Sequence, residues 1–474
     1  MDNIYLLKNE TRNNGRERPK FSREALYQAG CIEKINPDSL IETRRDMRYR
    51  TVLSFASDAD SASQYALSVT KDGDVYHLAV NVADVAALIS PDTELDLAAR
   101  ERFAAVGTGS GSSGMLPESL VRGVFNLREG EDRLTVSLFI DVNENGEVSS
   151  SVIDKSVTRV SRRCLFGELD ALRINADASE VTALRRKYSQ FMPMIDDMYG
   201  LAAALFRLRC ERGGIRIDAF DRVYETGENG EVTGLKQVQQ PDSKAMWTEI
   251  MMFASVQAGK MMRERGLPAV FYSQDPPPEK KVAVLARAFG LDPYPELPPV
   301  ERIARIVDRS RGSEFHALLC DELKLLSPCC KYTSCPAFDA ENACDTVIRF
   351  GHPATRYTDL VSHRALACMI KDERSGIIDP EAIKLDAEDY AAMAQKAAEQ
   401  RYKAERAFDK SRREALLKPG DEVFGWVLDR KKREALLIGN VHAHITGEKA
   451  IEQGKKLRFR IVSAGKTFEA ELIG

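Results

Sequence analysis

The chain has 474 residues, of which 43% are hydrophobic and 30% are charged, and its formal net charge is −4. This length allows about two or three domains, and the small net charge excludes a nucleic-acid-binding surface that spreads over the whole chain, so any such surface must be local. We expect no signal peptide and no membrane span, because no stretch is apolar enough for either. The nine cysteines lack the spacing of a disulfide framework, which favours a reducing, cytoplasmic location.

The predicted elements mix hairpins with long helices. Residues 1–43 form a polar N-terminal extension, with one short helix in "FSREALYQAG" that would be closed by Gly30. Glycine-containing turns between alternating apolar stretches predict three hairpins, and these are "YALSVTKDGDVYHLAVNV", "RLTVSLFIDVNENGEV" and "DRVYETGENGEVTGLKQV". Helical periodicity predicts helices over about 189–212 and over 243–266, the latter with Ser243 as the N-cap. A further helix is predicted in "DPPPEKKVAVLARAFG", with prolines at its start and Gly290 at its end. The fold class is therefore predicted to be α+β.

The last part of the chain changes character after a long predicted helix that ends before Pro419-Gly420. Short strands over 418–474 predict a small OB-like β-barrel. Phe424 and Trp426 share one face of its first strand, so we expect both to stack on bases or both to be core. Basic residues of the helix and the barrel are candidate phosphate contacts, namely Arg401, Lys403, Arg412, Arg413, Arg430, Lys431, Lys432 and Arg433.

Several stretches between about residues 44 and 410 resemble, in order, the catalytic RNB domain of the ribonuclease II and ribonuclease R exoribonucleases. They include "RRDMRYRTVLSF", "LAVNVADVAALI", "MLPESL" and "RYTDLVSHR", of which the last two are the most specific. The resemblance implies a core of mixed sheet and helices over 44–417, followed by the barrel at 418–474. It also implies an activity, the 3'-to-5' hydrolysis of single-stranded RNA by a carboxylate cluster that holds magnesium.

The residues that this chemistry needs do not occur at the positions that match the family's motif. The four carboxylate positions are occupied by Ala56, Ala62, Gln64 and Tyr65, and the position of the catalytic arginine is occupied by Thr355. The position of an aromatic residue that stacks on RNA falls near Gly107, and Glu249 is the one matching acid. We therefore expect no intact catalytic site, no metal and no cofactor.

Three functional hypotheses follow. The first is a catalytically inactive, RNA-binding member of the family, with single-stranded RNA as a weak ligand that also contacts Arg356 and Tyr357. The second is a divergent 3'-to-5' exoribonuclease with a rebuilt metal site. The third is a protein-interaction scaffold without RNA binding, for which a protein partner replaces RNA.

Two further clusters leave alternatives open. Asp58 and Asp60 could form a displaced metal site with Asp84 or Glu249, or make local hydrogen bonds in a turn. Five cysteines between Cys320 and Cys344, followed by His352, could bind zinc, but no CxxC pair occurs, and reduced thiols are the alternative.

Overall fold

The computed structural model describes residues 20–473, except residues 36–37, 109–110, 174–178, 227–231, 376–385, 448 and 466. In these residues the strands are β1 (Arg45–Asp46), β2 (Leu53–Ala56), β3 (Tyr65–Asp72), β4 (Val75–Ala83), β5 (Val106–Thr108), β6 (Gly111–Ser113), β7 (Asp132–Asn143), β8 (Val148–Arg159), β9 (Arg162–Leu165), β10 (Phe220–Thr226), β11 (Val232–Gln239), β12 (Phe271–Ser273), β13 (Lys331–Thr333), β14 (Glu422–Asp429), β15 (Glu434–Leu437), β16 (Val441–Thr446), β17 (Lys456–Ser463) and β18 (Phe468–Leu472). The helices are α1 (Arg23–Ile32), α2 (Asp38–Ile41), α3 (Glu94–Arg102), α4 (Glu118–Arg122), α5 (Phe166–Arg173), α6 (Ser179–Tyr188), α7 (Met192–Glu211), α8 (Asp242–Glu264), α9 (Glu279–Ala288), α10 (Pro299–Ser310), α11 (His316–Leu326), α12 (Tyr357–Ser375) and α13 (Ala387–Leu416).

The first of two compact units contains the described residues up to Glu211, together with Pro241–Ser273 and Lys331–Ala398. It is built on a seven-stranded sheet in the order β1-β8-β7-β4-β3-β2-β9. Apolar residues that alternate along β3, β4 and β7 form one buried cluster with residues of α7 and α8. Polar side chains occupy several of the alternate positions, and the hydroxyl of Ser137 donates to Asn81 Oδ1 at 2.5 Å, so a hydrogen bond across the strands joins these two buried side chains.

The second unit contains Arg212–Gln240, Gln274–Cys330 and the described residues from Glu399 onward. Its last five strands close into a barrel in the order β14-β15-β16-β18-β17. Val427, Leu437 and Phe459 belong to the apolar cluster of the barrel. On β14, Trp426 belongs to another cluster, in which its ring lies 5.1 Å from Phe289 and 6.0 Å from Phe315.

The predicted fold class is confirmed, because helices, sheets and a closed C-terminal barrel all occur. The three hairpins are present, although the turn of the third, at 227–231, lies outside the described residues. Two local predictions were wrong. Helix α1 continues past Gly30 to Ile32, and Ser243 lies inside α8 rather than at its N-cap, because its hydroxyl donates to the Phe166 carbonyl at 2.9 Å.

The prediction that Phe424 and Trp426 share one environment was also wrong. Phe424 is 44% exposed, whereas Trp426 is 4% exposed. Period two places both on one side of β14, but Phe289 and Phe315 cover only Trp426.

Among the described residues, none of the helices has the length and apolar character needed to cross a membrane.

Candidate active-site region

The positions that match the family's carboxylates lie on β2, on β3 and in the loop between them. Ala56 is the last residue of β2 and is buried, and Ala62 lies in the loop. Gln64 is buried immediately before β3, and Tyr65 is the first residue of that strand. Because these four side chains are neutral, they offer no anionic oxygen to a metal ion.

Gln64 makes direct contact with the residue at the position of the family's arginine. The Gln64 Nε2 atom donates to Thr355 Oγ1 at 3.3 Å, and Gln64 Oε1 accepts from the Ala354 backbone at 2.7 Å. The resemblance to the family implies a carboxylate and a guanidinium at these two positions, whereas here a hydrogen bond joins two neutral side chains. A buried amide satisfied on both sides stabilises this local arrangement.

Tyr65 belongs to a cluster of aromatic rings. Its ring centroid lies 4.8 Å from that of Trp247 and 5.2 Å from that of His352, and the His352 ring stands nearly perpendicular to it. Trp247 in turn lies 6.0 Å from Phe166. Edge-to-face and tilted packing of this kind stabilises ring clusters beyond their burial of area, so the Tyr65 ring is held in place by its neighbours.

Glu249, the matching acid, is engaged in a buried ion pair. Its two carboxylate oxygens accept from Arg209 Nε at 2.8 Å and from Arg209 Nη2 at 2.9 Å, and Arg209 Nη1 also donates to the Glu341 carbonyl. Burial alone would lower the pKa of Arg209, but the hydrogen bonds and the charge of Glu249 outweigh it and raise the pKa above its ordinary value. Both oxygens of the Glu249 carboxylate are therefore occupied by hydrogen bonds from the Arg209 guanidinium.

The acids of the β2–β3 loop make turn hydrogen bonds. Asp58 Oδ1 accepts from the backbones of Asp60 and Ser61 at 3.0 and 2.8 Å, and Asp58 Oδ2 accepts from the Ser61 hydroxyl at 2.7 Å. Burial raises the pKa of Asp58, but these hydrogen bonds outweigh it and hold the pKa below its ordinary value. Asp84 forms an ion pair with Arg44 at 2.7 Å and caps the helical turn that follows it.

The magnesium site implied by the family does not fit these residues. Hard cations require several oxygen ligands, of which carboxylates supply the charge. Within the part of the chain that the structure describes, no three His, Cys, Asp or Glu side chains are grouped as a metal site requires. We therefore derive no catalytic step through a metal at this position.

Arg356 and Tyr357, two predicted RNA contacts, lie inside the first unit. Arg356 Nη2 donates to Asp359 at 3.0 Å, and the fully buried Tyr357 donates its hydroxyl to Asp96 at 3.0 Å. The Tyr357–Asp96 bond connects α12 to α3, whereas the Arg356–Asp359 pair lies at the start of α12. Contact of either residue with RNA stays a prediction. Gly107 lies on β5, opposite Ser112 of β6.

The predicted basic contacts of the barrel lie at the turn between β14 and β15. Arg430, Lys431 and Lys432 are exposed there, and the Asp429 carboxylate accepts from the backbones of Lys431 and Lys432. Arg433 instead donates to the carbonyls of Ile445 and Gly447 at 2.8 and 2.6 Å, so it stabilises the end of β16. The side chains of Arg412 and Arg413 lie outside the described residues.

The nine cysteines are free thiols. Burial raises the pKa of Cys320 to about 12, which keeps this thiol protonated at neutral pH, whereas zinc binds thiolates. Cys320 lies in the second unit, and Cys335 and Cys344 lie in the first. The zinc hypothesis thus gains no support from the described residues.

Two residues of this region were missed by the sequence analysis, although both lie in stretches that resemble the family. Trp247 packs on Tyr65, and Arg209 binds Glu249. Neither partnership has a signal in the sequence, because the partners are far apart in the chain and meet only in the folded unit.

Comparisons with known proteins agree with this fold. The family model for the RNB domain matches residues 44–372. Ribonuclease R of Aquifex aeolicus is 24% identical over 404 residues, which cover 84% of this chain and 55% of that protein. Ribonuclease R of Escherichia coli is 25% identical over 376 residues, which cover 76% of this chain and 44% of that protein. The chain therefore spans about half the length of these relatives.

Solved structures share the fold at low sequence identity. Mycoplasma genitalium RNase R in complex with ribose-methylated single-stranded RNA matches with a TM-score of 0.79 and 15% identity, over 96% of this chain and 76% of that chain. Yeast Ssd1, described as a pseudonuclease, matches with a TM-score of 0.62 and 17% identity, over 96% of this chain and 56% of that chain. Because the family model covers well over half of the residues, and the sheet, helices and barrel have the fold of these relatives, the chain belongs to the RNB domain family.

Proposed function

We propose that this chain is an RNA-binding member of the RNB family that does not hydrolyse RNA. The observation that carries the proposal is the contact between Gln64 and Thr355, which occupy an acid position and the arginine position of the family and satisfy each other. Tyr65, at the next acid position, is fixed by Trp247 and His352. In the proposal, the neutral side chains of Gln64, Tyr65 and Thr355 take the places of the charged groups that catalysis needs.

The chemistry of the family explains why these replacements matter. Metal-assisted displacement at phosphorus depends on cations that stabilise the attacking and leaving oxygens, and the cations depend on carboxylates. Glu249 retains its carboxylate but shares both oxygens with Arg209. A single paired acid cannot substitute for four.

The barrel supports the RNA-binding half of the proposal. OB-folds bind oligonucleotides with the loop between their first two strands, among other surfaces. In this barrel that loop carries Arg430, Lys431 and Lys432, all exposed. The free cysteines further support a cytoplasmic location, where RNA is available.

The test is an assay of the full chain on end-labelled single-stranded RNA with magnesium or manganese, with binding measured in parallel by fluorescence anisotropy. We expect binding without shortening of the RNA. Metal-dependent shortening of the RNA by the purified chain would instead show a divergent exoribonuclease. Neither shortening nor binding, even at low salt, would indicate a protein-interaction scaffold.

A further inference from the structure

The outward face of β14 and β17 combines cations with an exposed aromatic ring. Burial alternates along β17, so that Phe459 and Ile461 point into the barrel while Lys456, Arg458 and Arg460 point outward. Phe424 of β14 lies directly opposite Arg458 in the strand register. We call the outward side chains of Phe424, Lys456, Arg458 and Arg460 the β14–β17 face.

Phe424 is the aromatic component of this face. Its ring is 44% exposed, and Lys456 Nζ lies 4.4 Å from the ring centroid. A cation at this distance from a ring is attracted to the ring's electron-rich face. The ring is thus accessible, and it lies beside the row of cations.

The cations of the face form ion pairs that are exposed to solvent. Arg458 and Arg460 share one carboxylate, that of Glu422, at 2.5 and 2.9 Å, and Lys456 pairs with Glu314. Glu471 of β18, which is also exposed, lies opposite Arg460 in the strand register. The side chains of Arg458 and Arg460 are about half exposed, and exposed ion pairs contribute little to stability, so a phosphate can replace Glu422 at low cost.

We propose that the β14–β17 face binds single-stranded RNA, with Lys456, Arg458 and Arg460 on successive phosphates and one base stacked on Phe424. The inference rests on the proposed RNA-binding function and assigns it a surface separate from the β14–β15 loop. Outward side chains of one β-strand follow each other at intervals of about 6.6 Å. This spacing is comparable with the separation of neighbouring phosphates along an extended RNA chain. Cations that follow a backbone beside an aromatic platform are typical of single-strand binding.

The test compares three triple variants, each of which removes three positive charges from the chain. Lys456→Gln, Arg458→Gln and Arg460→Gln remove the cations of the face, and Arg430→Gln, Lys431→Gln and Lys432→Gln remove those of the loop. A control triple, Lys280→Gln, Lys281→Gln and Arg305→Gln, lies on exposed positions of α9 and α10. Each variant of the full chain is titrated against a fluorescent uridine dodecamer, and its thermal unfolding is measured to confirm folding.

We expect the face triple to weaken RNA binding about tenfold or more relative to the control triple, since each lost phosphate contact removes part of the salt-dependent affinity. Phe424→Leu should weaken binding about five- to hundredfold by loss of stacking. Glu422→Gln should instead tighten binding, because it releases two arginines from their shared carboxylate. A purely structural role of Glu422 would not increase the affinity.

The outcomes separate this inference from the proposed function. If the loop triple loses affinity while the face triple, Phe424→Leu and Glu422→Gln bind as the control does, RNA binding stands and the assignment to this face is wrong. If the unmodified chain binds no RNA, the proposed function and this inference both fail. If the face triple loses affinity for poly-L-glutamate while its RNA affinity is unchanged, the face recognises acidic protein segments and the assignment to RNA is overturned.

Discussion

Glu249 shows how far a single residue can be predicted from sequence. The matching position was found from the surrounding stretch on α8, but its partner was not, because Arg209 lies on α7 and the pair forms only when the helices pack. The pairing with Arg209 determines what the Glu249 carboxylate can do. An acid bound to a buried guanidinium is a structural group, whatever its position in a motif.

Replacement of Glu249 by alanine should therefore reduce stability. It leaves the buried Arg209 without its carboxylate, and breaking a buried pair by removing one partner costs about 3–5 kcal/mol. Chemical denaturation should show this loss, whereas Glu264→Ala, at an exposed position of the same helix, should change the free energy of unfolding by less than about 0.5 kcal/mol. Equal stability of the two variants would mean that the ion pair is not formed in solution.

His442 on β16 should give the protein a pH-dependent stability. Partial burial lowers the pKa of His442, but hydrogen bonds with Glu322 and Glu434, at 3.3 and 3.0 Å, outweigh it and raise the pKa to about 9. The folded state therefore keeps a proton that the unfolded state releases near pH 6.5, so the stabilisation is complete below pH 6.5 and is lost as the pH rises through 9.

The measurement is the melting temperature of the unmodified chain and of His442→Gln between pH 6 and 10. The difference between the two should be largest at pH 6 and should shrink above pH 7. A difference that is constant over this range would show that His442 does not titrate with a raised pKa in the folded protein.

At the scale of elements, hydrophobic periodicity and turn residues predicted three hairpins and five of the thirteen described helices, namely α1, α7, α8, α9 and α13, and contacts between elements corrected their details. Period two correctly placed Phe424 and Trp426 on one side of β14, but it carries no information about which part of that side a helix covers. Ser243 has the residue type of an N-cap, yet its hydroxyl binds the Phe166 carbonyl at the end of another element. Tertiary packing determines which side chains are covered and which hydrogen bonds form, and it outweighs the local conformational preference of each residue.

Gly259 is the position on α8 where packing is tightest. A Cβ atom added there would lie 1.8 Å from the Thr346 carbonyl oxygen, so the helix and the segment that contains Thr346 can approach this closely only with glycine. Gly259→Ala should destabilise the protein by about 1–3 kcal/mol or more through overpacking. At Gly30 on α1, where an added Cβ meets nothing within 4 Å, the same change should stabilise by about 0.5–1 kcal/mol. Thermal unfolding of both variants should shift in opposite directions, and a shift in the same direction would contradict this account of α8.

For the whole molecule, the family, the fold class and the barrel could be predicted from ordered motifs and from the switch to short strands after α13. The domain boundaries at 44 and 418 stay predictions, and the compact units of the structure follow other limits because three segments distant in sequence join in each. Of the candidate site, the neutral residues at the positions matched to the family's carboxylates could be read from the sequence, and the loss of the catalytic site stays a prediction. The Gln64–Thr355 and Tyr65–Trp247–His352 contacts could not be predicted, since each joins residues that lie far apart in the chain.

The RNA affinity of the whole molecule depends both on its net charge and on a few local cations. The net charge of −4 opposes binding at long range, so the affinity should depend on a few local cations and on the salt concentration. For single strands, the logarithm of the binding constant falls with the logarithm of salt by about 0.7 per phosphate contact. If the three loop cations and the three cations of the β14–β17 face all meet phosphates, the unmodified chain should show a slope of about −4, and either triple variant should reduce its magnitude by about 2. Anisotropy titrations between 50 and 300 mM salt measure the three slopes. A slope that neither triple changes would place the phosphate contacts elsewhere in the chain, even if the affinity itself were as expected.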